Sequence, residues 1–402
     1  MSDINGQKVN TNVGLGTELQ TLLKTNIRDY AMYIALVVIF IFFGIKTHGL
    51  FLSSRNISDL INQTGYVAVL AIGMTIILII RHIDLSVGFV AGFLGAVAAM
   101  LMKIGWPVGV VIPVILLLGI CVGLYQGFLV AKVGVPAFVT TLAGMFMFRG
   151  LLSLVTAGSG TIVVKDKVFK SLSQGFIPDL PIPSDTHILT LVIGVILIIL
   201  IVMNLIKSRT NMLKYNFKVN SSPIFITQVI FIAVFIMGIV WVLAGYHGIP
   251  WTAVIVGFVL IVYNFMLNKT RLGRYIYGIG GNAEAAELSG VNVKKITFFA
   301  FASMGMLAAL GGMLYTSRLA SATPNAGVGF ELDAIASCFI GGVSVNGGIG
   351  RVTNTIIGAL IIMSLTNGMN LMGVDVSFQY IVKGAIFILA VAFDVKTRGG
   401  RK

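Results

Sequence analysis

Charge is scarce in this chain. Asp, Glu, Lys and Arg make up 10% of its 402 residues, against roughly 25% in an average soluble domain. Hydrophobic residues make up 57%. A water-soluble fold cannot hide that much apolar side chain and keep its surface wettable, so a soluble protein is excluded. Cysteine is nearly absent. Cys121 and Cys338 both lie in apolar runs, which excludes a disulfide framework or a CxxC metal pair. The four histidines, His48, His82, His187 and His247, are scattered near loops. They make no metal-ligand spacing, and no cluster at one depth that a membrane enzyme would need. No GxxxxGK[ST] occurs, so nothing here cradles ATP phosphates as a P-loop does. No cofactor pattern is present. The first 29 residues lack an apolar core and do not read as a signal peptide. Acids are outnumbered 14 to 28 by Lys and Arg, for a net charge of +14. No basic, aromatic-interleaved segment accompanies that excess, so no nucleic-acid partner is read from it.

What is present is apolar sequence in long runs. About twelve segments stand out, at 30–46, 64–81, 85–103, 107–131, 136–156, 187–206, 223–244, 249–267, 296–316, 333–348, 352–373 and 377–394. Helices of about 20 residues cross a bilayer, so the expected fold is all-α, a polytopic membrane protein of 10–12 spans. The segment 333–348 is short and glycine-rich and reads as broken or re-entrant. With the N-terminus inside, most Lys and Arg fall on the cytoplasmic side, which places both termini there. Arg149 and Lys383 fall within spans. The expected organisation is a tail at 1–29, one membrane domain at 30–395 and a tail at 396–402. The loop 157–185 is external, carries Pro178, Pro181 and Pro183, and reads as an ordered or semi-ordered cap. The loop 269–295 is internal.

Five stretches carry more than span chemistry. Asn56, Asn62 and Gln63 lead through Gly73-Met74-Thr75 to His82-Ile83-Asp84-Leu85-Ser86-Val87-Gly88. A carboxylate between apolar runs is costly in hydrocarbon, so Asp84 either caps the next helix or lines a pathway. Gly88-x3-Gly92 and Gly119-x3-Gly123-x3-Gly127 permit close helix approach or a bend. Pro136 suits a first helical turn and leads through Thr140 and Thr141 to Arg149-Gly150. Arg149 must reach the interface, water or a carbonyl. In the internal loop, Ala283-Glu284-Ala285-Ala286-Glu287-Leu288 is a strong helix former with Asn282 as its cap, so a short helix fitted to a partner's groove is expected. Last, Phe330-Glu331-Leu332-Asp333 opens a span near Arg318. Helix N-terminal preference explains acids there, and solute contact is the competing reading.

These residues together resemble the permease subunits of monosaccharide ABC importers, the ribose, galactose and xylose group. The resemblance is carried by Ile83 to Gly88, Pro136 to Leu142 with Arg149-Gly150, Arg274 through Gly280-Gly281-Asn282 to Gly290, and Glu331 to Ala336 with Gly341-Gly342. It spans about 50–395. Extra length at 186–247 reads as an inserted helical hairpin and favours the xylose-type and multiple-sugar members. Arg81-His82 departs from the smaller residues common there. The resemblance implies a homodimer in the bacterial plasma membrane, a separate cytoplasmic ATP-binding subunit, an extracytoplasmic sugar-binding protein and a monosaccharide substrate. It places the ATPase-coupling element at Arg274, Gly281, Asn282, Ala283, Glu284, Ala285, Ala286, Glu287, Leu288 and Gly290. It implies that Asp84 and Ser86, with Phe330, Glu331 and Asp333, belong to the pathway and the binding-protein side. Polarity at span ends adds Asn62, Gln63, Thr140 and Thr141. The rival reading is an ion-coupled secondary transporter using Asp84 and Asp333, which leaves the structured internal loop without a purpose.

Overall fold

The computed structural model describes residues 27–158, 160–181, 186–215, 217, 219 and 221–399. The expected N-terminal tail as far as residue 26, Pro183 and the last three residues lie outside them. Apolar runs become helices because hydrocarbon offers backbone amides no partner outside their own segment. In chain order they are α1 (Ile27–Lys46), α2 (Ser54–Ile79), α3 (Val87–Lys103), α4 (Val108–Phe128), α5 (Ala137–Thr156), α6 (Lys167–Gln174), α7 (Ile188–Lys214), α8 (Ser222–Ala244), α9 (Trp251–Lys269), α10 (Arg271–Gly281), α11 (Ala283–Leu288), α12 (Val293–Leu319), α13 (Phe330–Ile340), α14 (Val352–Leu371) and α15 (Val376–Gly399). A two-residue antiparallel pair, β1 (Ile162–Val163) with β2 (Ser321–Ala322), joins two loops. Among the described residues, eight helices are long and apolar enough to span a bilayer, and α1, α3 and α15 contain shorter apolar stretches. The chain is an all-α polytopic membrane protein.

Two boundaries differ from the sequence reading. The segment 333–348 is helical only as far as Ile340, about 16 Å of rise, short of the roughly 30 Å of hydrocarbon. Gly341 ends it, and Gly342 follows with φ +82°. The second helix begins at Ser54 rather than near 64, because Ser53 caps it and Asn56 in its first turn is paired inside the bundle. Asn56 and Asn367 exchange amide hydrogen bonds of 2.9 and 3.1 Å.

The centre of the bundle is α2 and α12. Of their apolar stretches 89% and 72% are buried, against 11% for α7 and for α8. α12 packs along α4, α2 and α3, and glycines make that possible. A Cβ at Gly119 would meet the Gly305 carbonyl, and one at Gly123 the Phe301 carbonyl. The ladder therefore serves close packing. The hairpin α7–α8 packs mainly on itself. Asp179 accepts from the Ile188, Leu189 and Leu180 amides at 2.8–2.9 Å and so caps α7. Desolvation opposes its ionisation, but those bonds and nearby His187 outweigh it and hold the carboxyl below the usual range. Its contribution to α7 is present above the ordinary carboxylate pKa and lost as pH falls through the lower folded value.

The loop 157–185 is an ordered cap over its described part. Asp166 caps α6. Phe169 is fully buried, and Ser317 on α12 bonds both the Ser173 amide and the Lys170 carbonyl at 3.0 Å. The α6 end and the α10–α11 end are thus opposite ends of the bundle, joined by the 27 residues of α12.

Candidate functional site

Two helices begin inside the bundle rather than at its ends. α3 starts at Val87 after the turn 80–86, and α13 starts at Phe330 after the descending segment 323–329. Their starts touch. A Cβ on Gly88 would collide with the Gly327 carbonyl and a Glu331 carboxylate oxygen. Gly327 itself sits at φ +93°, a conformation only glycine adopts freely. Interrupted helices of this kind, buried in protein, occur where membrane transporters hold their solutes.

The turn before α3 is held by Asp84. Its Oδ1 accepts from the Ser86 amide (2.8 Å) and the Ser86 hydroxyl (2.6 Å). Gln126 on α4 donates to Ser86 Oγ at 2.6 Å, and Thr141 on α5 donates to the Ile83 carbonyl at 3.2 Å. Asp84 is 2% exposed. It shapes the turn that leads into α3, inside the helix break, but the N-cap position that the sequence reading offers Asp84 is taken by Ser86. Replacing Asp84 with Ala leaves two buried donors unpaired, an expected loss of about 1–3 kcal/mol, while Asn keeps an acceptor. Thermal unfolding in detergent reads the difference: Ala lowers the midpoint and Asn stays near the parent. An equal loss for both would assign the role to the charge.

The start of α13 carries two carboxylates with different partners. Glu331 Oε2 is buried with no hydrogen-bond partner among the described residues. Asp333 makes an ion pair with Lys383 of α15, at 3.0 and 3.2 Å. Phe330 packs against Tyr66 and Tyr315, ring centroids 4.6 and 4.8 Å away. Asn62 and Gln63 stand apart from the Asp84 turn. They line a cavity of about 340 Å³ at the α6 end with Asp59, Gln174 and Arg318. Gln63 lies some 24 Å along α2 from its far end, at 1.5 Å per residue. Thr140 Oγ1 is buried and unpartnered among the described residues. The structure therefore gathers Asp84, Ser86 and Thr141 in one cluster and Phe330, Glu331 and Asp333 in an adjoining one. Asn62 and Gln63 lie nearer the α6 end, about one turn of α2 beyond the Tyr66 that packs on Phe330.

At the α10–α11 end, Asn282 caps α11 by accepting from the Ala285 amide at 3.0 Å. Gly290 ends the turn at φ +85°. Ala286 is buried, Ala285 is exposed and Leu288 is 85% exposed. Arg274, Gly281, Glu284 and Glu287 are exposed around it, with Ala283 half-buried. The preceding stretch is helical too, as α10, where a loop is expected. Gly280 is required there because the backbone approaches closely: a Cβ on it would strike the Ile79 carbonyl. Arg81 completes the contact. Its Nε donates to the Gly280 carbonyl (2.8 Å) and its Nη2 to that of Gly281 (2.6 Å). The Gly348 amide, beyond α13, donates to Ile79 O at 2.9 Å. The break before α3, the loop after α13 and the base of α11 are thus tied at one place.

A family model described as a branched-chain amino acid transport system / permease component matches residues 56–210 and 185–391. The xylose transport system permease protein XylH of Escherichia coli (strain K12) is 38% identical over 399 residues, 99% of each chain. XylH of Haemophilus influenzae is 40% identical over 384 residues, 94% of this chain and 98% of that one. The chain belongs to the permeases of monosaccharide ABC importers, of the xylose and ribose type. The ribose import permease protein RbsC of Haemophilus influenzae is 36% identical over 347 residues, 86% of each chain. No solved structure matches. The permease is a multi-pass membrane protein homologous to bacterial inner-membrane permeases, and it is a transporter subunit without an ATPase domain.

Several residues of this permease's site escape the sequence reading. Arg81 is visible there as an unusual residue, but its partners lie some 200 positions away. Lys383 is legible as a charge inside a span, a signal of function in itself, while its pairing with Asp333 is not. Gln126 carries no local signal beyond polarity within an apolar run.

Proposed function

We propose that this permease forms the pathway of a pentose importer, most simply for xylose, and that α11 is the element a separate ATPase grips. Both termini and the α10–α11 end face the cytoplasm, as the Lys and Arg distribution favours. The α6 end then faces the extracytoplasmic sugar-binding protein. Two copies enclose the pathway. Its lining runs from Asn62 and Gln63 to the helix breaks at Asp84–Ser86 and Phe330–Asp333, with Thr140 and Thr141 beside the first. The hairpin at 186–247 is an insertion at the periphery of this framework, consistent with its slight burial.

The observation that carries the reading is the joint at Arg81. A partner that moves α11 moves Gly280 and Gly281, and through them the turn that starts α3. The work of ATP is thereby delivered to the discontinuities rather than to a span as a whole. A neutral, hydroxyl-rich solute needs only a few polar contacts there and must be released again. The test is a cysteine at Leu288 in the assembled transporter. It is expected to cross-link to the ATPase subunit through a short bifunctional reagent. Cross-linking from a cysteine at Val163, at the α6 end, in place of Leu288 would reverse the orientation.

A further inference from the structure

A cavity of about 400 Å³ lies between α2, α13, α14 and α15, within the size range of small-molecule sites, roughly 300–1,000 Å³. Its lining includes Tyr66, Phe330, Asp333, Tyr380, Lys383 and Gly384. The Asp333 and Lys383 side chains are only 15% and 19% exposed. A buried charge pair within the membrane is expensive, and an ionisable group there points to a functional site. The single Lys383 Nζ serves both Asp333 oxygens. One ammonium proton and further carboxylate lone pairs stay free for a third group. Aromatic side chains form another part of the wall.

We propose that this cavity is a monosaccharide subsite, in which a sugar hydroxyl accepts from Lys383 and donates to Asp333. The sugar's C–H face lies against the rings of Tyr66 and Phe330. A hydroxyl both donates and accepts, so it fits between an ammonium and a carboxylate without separating them. A lipid acyl chain would fill the apolar wall but leave the spare donor and acceptors unused. The subsite rests on the permease reading above and adds to it where along the path the sugar pauses, and on which groups.

The test uses the whole transporter with its ATPase and sugar-binding protein in proteoliposomes, with radiolabelled D-xylose as the probe. Three variants are compared with the parent: the neutral double variant Asp333→Asn/Lys383→Gln, the exchange Asp333→Lys/Lys383→Asp, and Gly384→Leu. The last removes no contact, since a Cβ at Gly384 meets nothing within 4 Å among the described residues, and Leu favours helix over Gly. It adds bulk at the cavity wall and leaves both members of the ion pair in place. Sugar carried per ATP hydrolysed is expected to fall about tenfold in the two charge variants, the scale of one charge-assisted hydrogen bond, and to fall in Gly384→Leu through lost space. Parent-like uptake in Gly384→Leu overturns the proposal. So does recovery in the exchange variant, which would make the pair a structural tie. Should the double variant not fold, Gly384→Leu alone decides. If the parent itself carries no sugar with ATP, the permease reading fails, an outcome distinct from failure of the subsite.

Discussion

Placing arginine at Ala285 is expected to stop sugar uptake while the permease still folds and inserts normally. Ala285 is exposed on α11, beside the 85% exposed Leu288. Its amide, not its methyl group, is what the Asn282 cap uses. A long charged side chain there leaves the cap intact and obstructs only what docks on the helix. Losing a central interface contact costs about 2 kcal/mol or more, roughly a thirtyfold weakening of ATPase association. Pull-down of the ATPase by the permease measures association, and the thermal unfolding midpoint controls for folding. Normal uptake and pull-down in Ala285→Arg would remove α11 from the coupling contact.

The second large effect concerns Arg81. It sits at φ +65°, uncommon for a side chain of its size, and is held there by its two bonds to the Gly280 and Gly281 carbonyls. Those carbonyls end α10 and lack helical partners of their own, so a cation there also meets the negative pole of the helix. Replacing Arg81 with Ala should leave ATPase binding intact, because α11 and its cap are unchanged. ATP hydrolysis then proceeds while uptake falls about tenfold, as coupling free energies between sites run to about 1–3 kcal/mol. Lys restores one bond of the two and should recover part of the uptake. A parallel loss of ATPase binding and uptake in Arg81→Ala would mean that Arg81 merely shapes the docking surface.

Much of this architecture is legible from the chain itself, and the reason is physical. In a bilayer the apolar run and the helix coincide, so spans show directly in composition. Asn282, Ala283–Leu288 and Gly290 read as a capped helix, because a cap, a propensity and a stop are local signals. Gly119 and Gly123 read as a packing ladder from spacing alone. Interruptions are harder to see. The half-helix Phe330–Ile340 looks like a weak span, since its end depends on Gly341 and Gly342 and on what lies around them. Partners distant in sequence are invisible. Asp333 and Lys383 stand 50 positions apart, and each alone is an unexplained charge. Arg81 and Gly280 are farther apart still. Asn62 and Gln63 are polar near a span end like Thr140 and Thr141, yet the fold puts them nearer the α6 end of the bundle. Polarity gives a residue's cost in the membrane but not its depth.

The division of labour between this permease and a separate motor is tested most directly by the energy source of uptake. The transporter is reconstituted in proteoliposomes with its ATPase and sugar-binding protein, and entry of radiolabelled D-xylose is followed with a protonophore present. The account predicts uptake that needs ATP and ignores collapse of the proton gradient. Uptake without ATP, driven by an imposed proton or sodium gradient, would contradict it and return Asp84 and Asp333 to the role of ion-coupling acids.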